Sequence, residues 1–423
     1  MQLQDKIETS NALKKYQILD RLVCANFQLG NIPTRGDDDA ATMTTLMDAP
    51  HLREINVYDG YACPPSFIPF SRGKLPMLTT LRILAPLPKE YILPLWRDTV
   101  THLELCVQQS IWEDFITMLK QLQNLEFLSL ENSLPSVYQA DRISLPNLRR
   151  LRIVDWLDRI AFGSSYFELD SEKMRNINYI CYFRSKEKGS LWSFCRSLRS
   201  FLNTSILHLR VRRLNITDLE VTGWKKIESQ SGEAHFRIEL QRFTGRATKG
   251  EDRASFFKTL LEELRAFRMY PVTISLEDRT VRSHPEKFPG MDFDRDLNDV
   301  FGSPSHDICH TFHALPSVTS IYVDFFLAYG FIQKLFNLNI DDWRKLRECF
   351  VEGSDLPHWS EVESDSDQPS VITEETLKLP NKLTTIGITG GKSKCFEDAE
   401  IILRNAAEES PVIDSTVVIY VKS

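Results

Sequence analysis

A short apolar phrase recurs five times in the first third of this 423-residue chain. Each copy ends in a triplet whose first and third residues are apolar, and the triplets begin at Ile55, Leu81, Leu103, Leu128 and Leu151. Successive copies are therefore 26, 22, 25 and 23 residues apart. An apolar-x-apolar triplet predicts a short strand with its outer residues in a core and its middle residue pointing away. Regular recurrence predicts that each copy stacks on the next, because one copy alone cannot bury its apolar side.

The phrase and its interval are those of leucine-rich repeats, which recur about every 20–29 residues. Between triplets, residues 110–125 carry apolar residues at helical spacing, including Phe115, Met118 and Leu122. We therefore predict an α/β fold, a right-handed leucine-rich-repeat solenoid or horseshoe with irregular repeats. Its parallel sheet would line the concave face, with helices on the convex side.

The repeat loosens after residue 155 but continues. Strand-like segments are predicted at 177–183, 206–211, 235–240, 272–276, 321–323, 383–388 and 415–421. Helical segments are predicted at 191–203, 253–267, 326–336 and 396–409. Polar segments at 244–253, 278–305 and 354–375 have the character of insertions, and the acidic one at 354–375 is expected to be disordered.

These patterns predict two parts of very different length. Residues 1–48, with a helical segment at Ala12–Phe27, would be an N-terminal flank or cap. Residues 49–423 would be the solenoid, regular over 50–155 and irregular over 156–423.

Several segments resemble the repeat region of fungal F-box/leucine-rich-repeat proteins. They are LMDAPHLREINV from residue 46, LPMLTTLRIL from 75, LQNLEFLSLENSLPS from 122, ISLPNLRRLRIVDW from 143 and HALPSVTSIYV from 313. The resemblance covers roughly residues 40–220 closely and 230–420 by rhythm alone. It implies that the repeats present a substrate to a cullin-RING ubiquitin ligase, whose adaptor an F-box binds. Residues 1–50 contain no Trp and no Leu-Pro-x-Glu phrase, so the resemblance includes no recognisable F-box.

Charge and hydropathy restrict the partners and the compartment. The chain has 51 Lys+Arg against 58 Asp+Glu, a net charge of −7, whereas general nucleic-acid binders carry a basic stripe. The N-terminus lacks a signal-peptide layout, and the apolar stretch at 321–338 is interrupted by charged residues. Eight cysteines occur without a CxxC pair. We expect an intracellular protein, cytoplasmic and/or nuclear, with no nucleic-acid or membrane partner.

One segment resembles a phosphate-binding loop. Gly387-Ile-Thr-Gly-Gly-Lys-Ser393 follows a strand-like segment and precedes a helical one. The motif needs four residues between its first Gly and the Gly-Lys pair, and here three intervene. A repeat strand followed by its turn explains the same residues, and nucleotide binding is kept as a remote alternative.

Two clusters resemble metal sites. His306, Cys309, His310 and His313 lie within eight consecutive residues, whereas structural zinc sites use two separated pairs. Asp292, Asp294 and Asp296 begin like a calcium loop, but Leu297 and Ser303 replace the required Gly and Glu. We therefore predict no metal, no cofactor and no catalytic residue.

The middle residues of the triplets predict a binding face instead. With adjoining residues, the predicted face consists of Asn56, Tyr58, Arg82, Glu104, Ser129, Arg152, His208, Arg210, Arg212, Glu239, Ser275 and Tyr322. The arginines between His208 and Arg213 suit bidentate contacts with anionic groups, although a solvated strand face explains them too.

The chain is thus expected to be a protein-binding scaffold rather than an enzyme. By its resemblance it would be a substrate-recognition component related to F-box subunits. The alternative is a stand-alone leucine-rich-repeat interaction or regulatory protein with no ligase role.

Overall fold

The computed structural model describes a set of separated segments. They are residues 21–29, 48–59, 73–85, 92–106, 115–134, 142–163, 166–170, 173–182, 206–213, 218–225, 234–241, 272–278, 317–324, 335–336, 338–339, 341–342, 345–346, 349, 383–389, 396–410, 413–414 and 416–422. The chain divides into two compact units, Met1–Tyr182 and Phe183–Ser423, each of which is considered by itself.

The first unit contains an open, parallel sheet. Its strands are β1 (Cys24–Leu29), β2 (Glu54–Asp59), β3 (Thr80–Leu84), β4 (His102–Cys106), β5 (Phe127–Glu131), β6 (Ile143–Ser144), β7 (Arg150–Trp156), β8 (Phe167–Glu168) and β9 (Asn176–Tyr182). The main sheet has the order β1-β2-β3-β4-β5-β7-β9, and β6 pairs with β8 separately. Short helices, α1 (Phe115–Leu119) and α2 (Leu157–Gly163), and a 3-10 turn (Leu93–Leu95) lie between strands.

The repeated triplets form the core of this unit. Ile55, Leu81, Leu103, Leu128 and Leu151 are aligned on neighbouring strands, and each is fully buried. The third residue of every triplet is buried in the same way. An apolar residue three positions before each triplet is also buried, namely Leu52, Leu78, Val100, Leu125 and Leu148. The apolar positions of the phrase are therefore its inward-facing positions.

A repeated backbone contact precedes many of the parallel strands. The amide of Arg53 donates to the Val23 carbonyl at 2.8 Å, and the amide of Thr79 donates to the Arg53 carbonyl at 2.9 Å. In the second unit the amides of Val272, Thr319 and Thr384 make the equivalent contact with the residue before the neighbouring strand, at 2.8 Å. The same local geometry thus underlies strands separated by very different lengths of chain.

The second unit contains a mixed sheet. Its strands are β10 (His208–Arg213), β11 (Leu219–Trp224), β12 (Phe236–Gln241), β13 (Thr273–Asp278), β14 (Ser320–Asp324), β15 (Thr385–Thr389) and β16 (Val418–Lys422). The order is β12-β11-β10-β13-β14-β15-β16. The pairs β10–β11 and β11–β12 are antiparallel, and the others are parallel. Helix α3 (Phe396–Glu408) connects β15 to β16 and buries Ala399, Leu403 and Ala407.

The mixed α/β class with a mostly parallel, open sheet is confirmed. The strands predicted at 177–183, 206–211, 235–240, 272–276, 321–323, 383–388 and 415–421 are present with shifts of a few residues. The helix predicted at 396–409 is α3. Several predicted helices and insertions lie outside the described residues, namely those at 191–203, 244–253, 253–267, 279–305 and 354–375. Of the helix predicted at 326–336, only residues 335 and 336 are described.

Three local predictions are wrong. Cys24–Phe27 belongs to strand β1 and not to a helix. The predicted helix at 110–125 does not continue past Leu119, the end of α1, because turns follow within residues 120–125; residues 110–114 lie outside the described residues. Strand β11 was not predicted, and it makes the sheet partly antiparallel. Only five residues separate β10 from β11, whereas a parallel crossover needs about a dozen or more, so β11 has to return antiparallel.

Candidate binding surface

The polar face of the first unit is defined here as the side of its main sheet that points away from the core. Along its centre, Asn56, Arg82, Glu104, Ser129 and Arg152 occupy matching positions on successive strands. These are the middle residues of the five triplets. The predicted alignment of these five residues is therefore present.

Arg82 joins three strands of this face. Its Nε donates to Glu104 Oε1 at 2.8 Å, and its Nη1 donates to Glu54 Oε1 at 3.1 Å. The Asn56 amide also donates to Glu54 Oε1 at 2.9 Å. About two-fifths of the Arg82 side chain remains exposed (40%), so the ion pairs orient it without removing it from solvent.

Arg152 is held in a similar way but less tightly. Its Nη1 donates to Ser129 Oγ at 3.1 Å and lies 3.8 Å from Glu131 Oε2. The Arg152 and Glu131 side chains are 35% and 38% exposed. Tyr58 is exposed on the same face, so this unit presents charged and aromatic groups together.

Asp155 is a buried carboxylate of this unit and is hydrogen-bonded mainly to the backbone. It accepts hydrogen bonds from the amides of Leu134 and Trp156, at 3.2 and 2.8 Å, and from Arg159 Nη1 at 3.3 Å. Burial raises the pKa of Asp155, while these donors oppose that rise. Because its acceptors are occupied by the fold, Asp155 is not a candidate acid or base.

The second unit gathers its charges around Glu220. Arg237 Nε lies 2.6 Å from Glu220 Oε2, while Arg212 and Arg210 lie 3.7 and 3.8 Å from Oε1. Arg237 also donates to Glu239 Oε2 at 2.9 Å. Glu220 is only 4% exposed. The antiparallel turn from β10 to β11 creates this cluster by placing Glu220 opposite Arg212.

His208 lies beside this cluster. Its ring centroid is 5.3 Å from that of Trp224, and its Nε2 is 3.4 Å from Ser275 Oγ. Burial lowers the pKa of His208 to about 4, with a further lowering by the Arg210 charge. Arg210 in turn stacks on Trp224, with Cζ 4.6 Å from the ring centroid. His208 is therefore neutral at physiological pH.

Gly387 lies inside strand β15, between Tyr322 and Tyr420 on the neighbouring strands. The two phenol groups are hydrogen-bonded to each other, and burial raises the pKa of Tyr420. A Cβ at residue 387 would lie 2.6 Å from Tyr322 Cδ1. Gly387 therefore makes room for the tyrosine pair from within a strand, and residues 390–393 lie outside the described segments.

The expected exposure of the face is wrong for five predicted residues. Asn56, Ser129, His208, Glu239 and Ser275 are all buried. Ser129 and Ser275 are short side chains between larger ones on adjacent strands, which are about 4.8 Å away. The Asn56 amide is hydrogen-bonded to Asn26 and Glu54, and the His208 ring packs beside Trp224. Glu239 accepts hydrogen bonds from Arg237 and Gln241. The remaining predicted residues, Tyr58, Arg82, Glu104, Arg152, Arg210, Arg212 and Tyr322, retain some exposure.

Sequence reasoning missed several partners of these residues. Glu54 and Glu131 precede or follow the triplets by one position and complete the arginine contacts of the first unit. Glu220, Thr222 and Trp224 lie on the unpredicted strand β11. The alternation Leu219-Glu-Val-Thr was the available signal for that strand.

Nothing in the described segments assembles three or more His, Cys, Asp or Glu side chains as a metal site. Two metal-like clusters, Asp292–Asp296 and His306–His313, lie outside those segments. The described helices also include none long and apolar enough to cross a membrane.

Comparison with known proteins finds no family model that matches the chain, and no curated protein matches it.

Proposed function

We propose that the chain is a protein-binding scaffold of the leucine-rich-repeat type, and that the polar face of the first unit is its binding surface. The repeat spacing and the parallel stacking of its triplets support the solenoid assignment. The binding role is supported mainly by one observation. Five strands bring Asn56, Arg82, Glu104, Ser129 and Arg152 into a single line.

The geometry of this line favours a macromolecule over a small substrate. Five neighbouring strands spaced about 4.8 Å apart give a line about 19 Å long. Small-molecule sites are instead concave pockets that bury most of the ligand. The charged groups here are spread along the line and held by ion pairs, so they would contact an extended partner with little loss of side-chain entropy.

The resemblance to F-box/leucine-rich-repeat proteins suggests which system the scaffold serves. We propose a substrate-recognition component related to the F-box subunits of cullin-RING ubiquitin ligases. A stand-alone interaction protein with the same binding face is the alternative. These two proposals differ in one partner, the ligase adaptor, and not in the surface that binds the substrate.

The binding role is tested by quantitative affinity purification of the full chain from its own cells. The variant Arg152→Glu reverses a charge on the face, and the control Arg149→Glu makes the same change at an exposed residue before the strand. We expect Arg152→Glu to deplete specific partners by about tenfold, the loss produced when a central interface contact is removed. Equal partner recovery with both variants would contradict the proposal.

The ligase role has its own readout in the same purification. Stoichiometric recovery of a cullin-RING adaptor, unaffected by Arg152→Glu, is expected of a substrate-recognition component. Recovery of partners that depend on Arg152, with no adaptor, would support the stand-alone alternative.

A further inference from the structure

The carboxyl ends of the strands in the first unit carry an apolar row beside the charged line. Tyr58 on β2 pairs with Leu84 on β3, and Val154 on β7 pairs with Ile180 on β9. Cys106 holds the equivalent place on β4, next to Glu131 on β5. We name this row the apolar strip and define it as Tyr58, Leu84, Cys106, Val154 and Ile180, with Trp156 and Tyr182 at its end.

Most of the strip remains accessible. Tyr58 is 39% exposed, and every other member except the buried Val154 is partly exposed. Trp156 and Tyr182 lie next to each other with ring centroids 5.7 Å apart. Glu131 lies between Cys106 and Val154 in this row, so the strip has two apolar parts with one carboxylate between them. Apolar side chains that lie side by side and are bordered by charges are typical of a protein-interaction site, whereas single exposed apolar residues are ordinary.

We propose that the apolar strip docks one amphipathic α-helix of a partner protein. This inference rests on the proposed function and specifies the partner of the same face. Six strands spaced about 4.8 Å apart make the strip about 24 Å long, which equals a helix of about 16 residues. A helix about 10 Å wide covers the strip and part of the charged line about 7 Å away.

The size of the strip favours a single helix over a second folded copy of the chain. Its length and a width of two rows give a footprint of about 340 Å², well below the roughly 800 Å² per partner of a standard interface. An extended peptide fits less well, because the backbone groups of the interior strands are already used within the sheet. A helix satisfies its own backbone and brings only side chains to the surface.

One carboxylate of the strip specifies a basic group on that helix. Glu131 lies in the row itself, whereas Glu104 lies on the neighbouring row with Arg82 and Arg152. Arg82 already bridges two carboxylates. Glu131 lies within the row and is 3.8 Å from Arg152, beyond hydrogen-bond length, so its carboxylate can accept a Lys or Arg of the partner.

The proposal is tested with a display library of random peptides of about 16 residues, selected on the full chain. Enriched peptides are expected to place apolar residues at i, i+3, i+4 and i+7, with Lys or Arg beside them. Their affinities are then measured for Leu84→Lys and Ile180→Lys on the strip. The matched controls Thr80→Lys and Asn176→Lys alter the same strands and the same face away from the strip.

Each strip variant should weaken binding about tenfold or more, and each control by less than about twofold. Glu131→Gln should lower the affinity for peptides that carry the basic residue and leave the affinity for the other peptides unchanged. Circular dichroism of every variant establishes that the fold is retained, and Leu84→Ala and Ile180→Ala replace any lysine variant that does not fold.

Enriched peptides without helical periodicity, or equal affinities for strip and control variants, would overturn helix docking. Failure to enrich any peptide would overturn it too. In each case the proposed function is judged separately, because partner loss with Arg152→Glu in the affinity purification does not depend on a helical peptide.

Discussion

The polar faces of the two units begin from the same sequence pattern and end in different environments. In the first unit, Arg82 and Arg152 keep about a third or more of their side chains exposed beside carboxylates that are also accessible. In the second, Arg212 and Glu220 are 12% and 5% exposed within a cluster of charges. The charged groups of the first face are accessible to solvent, whereas those of the second are mostly buried in contacts between its own strands.

The antiparallel strand β11 accounts for this difference. It brings Glu220, Thr222 and Trp224 beside Arg212, Arg210 and His208, whereas the described strands in the main sheet of the first unit are paired in parallel. A buried charge costs free energy unless it is paired. Breaking the ion pairs of Glu220 to bind a partner would therefore destabilise the second unit. A triplet pattern therefore predicts which side chains leave the core, but not whether they reach solvent.

The same substitution in the core of either unit should cost a similar free energy of unfolding. Leu128→Asp in the first unit and Ile321→Asp in the second each place an unpaired carboxylate at a fully buried position. Each is expected to destabilise the chain by about 4 kcal/mol or more, measured by urea unfolding. Phe127→Asp, at a partly exposed neighbouring position, is the control and should cost far less. A small effect at only one of the two core sites would break the equivalence of the repeats.

The charged faces should differ strongly. Glu220→Ala leaves Arg210, Arg212 and Arg237 without their shared carboxylate, and we expect a loss of about 3–5 kcal/mol. Glu104→Ala removes a partly exposed partner of Arg82 and should cost under about 1 kcal/mol. Urea unfolding of the two variants checks the contrast. Similar losses would mean that the second cluster is not energetically distinct.

The same comparison predicts the effect of charge reversal. Arg210→Glu would place a carboxylate beside buried Glu220, so we expect it to destabilise the second unit in urea unfolding. Arg152→Glu has no such buried neighbour and remains the suitable binding variant.

His208 should make the second unit sensitive to acid. Its pKa is about 4 in the folded chain against an ordinary value of 6.5, so the unfolded chain takes up the proton first. Stability should therefore fall as the pH drops from 6.5 towards 4, by about 3 kcal/mol in total. Unfolding free energies at several pH values for the wild type and His208→Gln measure this contribution. A decline that persists in His208→Gln would assign it to other groups.

A smaller loss of stability is expected when the pair of Tyr322 and Tyr420 is disturbed. Gly387→Ala forces Tyr322 away from its position and breaks the hydrogen bond between the phenols. The expected cost is about 2 kcal/mol, a usual value for overpacking. Urea unfolding gives the cost, and tyrosine absorbance at alkaline pH should show the Tyr420 pKa returning towards its ordinary value. An unchanged titration would show that Gly387 does not control the pair.

Much of the first unit could be predicted because its information is local. One triplet gives its own inward and outward residues, and parallel stacking then aligns Asn56, Arg82 and Glu104 without further knowledge. The burial of His208 could not be predicted, since it depends on Trp224 in a strand that the pattern did not reveal. Likewise, Tyr58, Leu84, Cys106 and Val154 each follow a triplet by one residue, but their alignment in one row appears only when the strands are in register.

The central claim, that the polar face of the first unit binds a partner, is tested most directly by hydroxyl-radical footprinting. The chain is compared with and without a partner that the wild type recovers and Arg152→Glu loses. Tyr58 reports the face, while exposed Met77 and Phe162 report other surfaces of the same unit. The account predicts that partner binding lowers oxidation of Tyr58 and leaves Met77 and Phe162 unchanged. Protection of Phe162 or Met77, with Tyr58 still fully reactive, would contradict it.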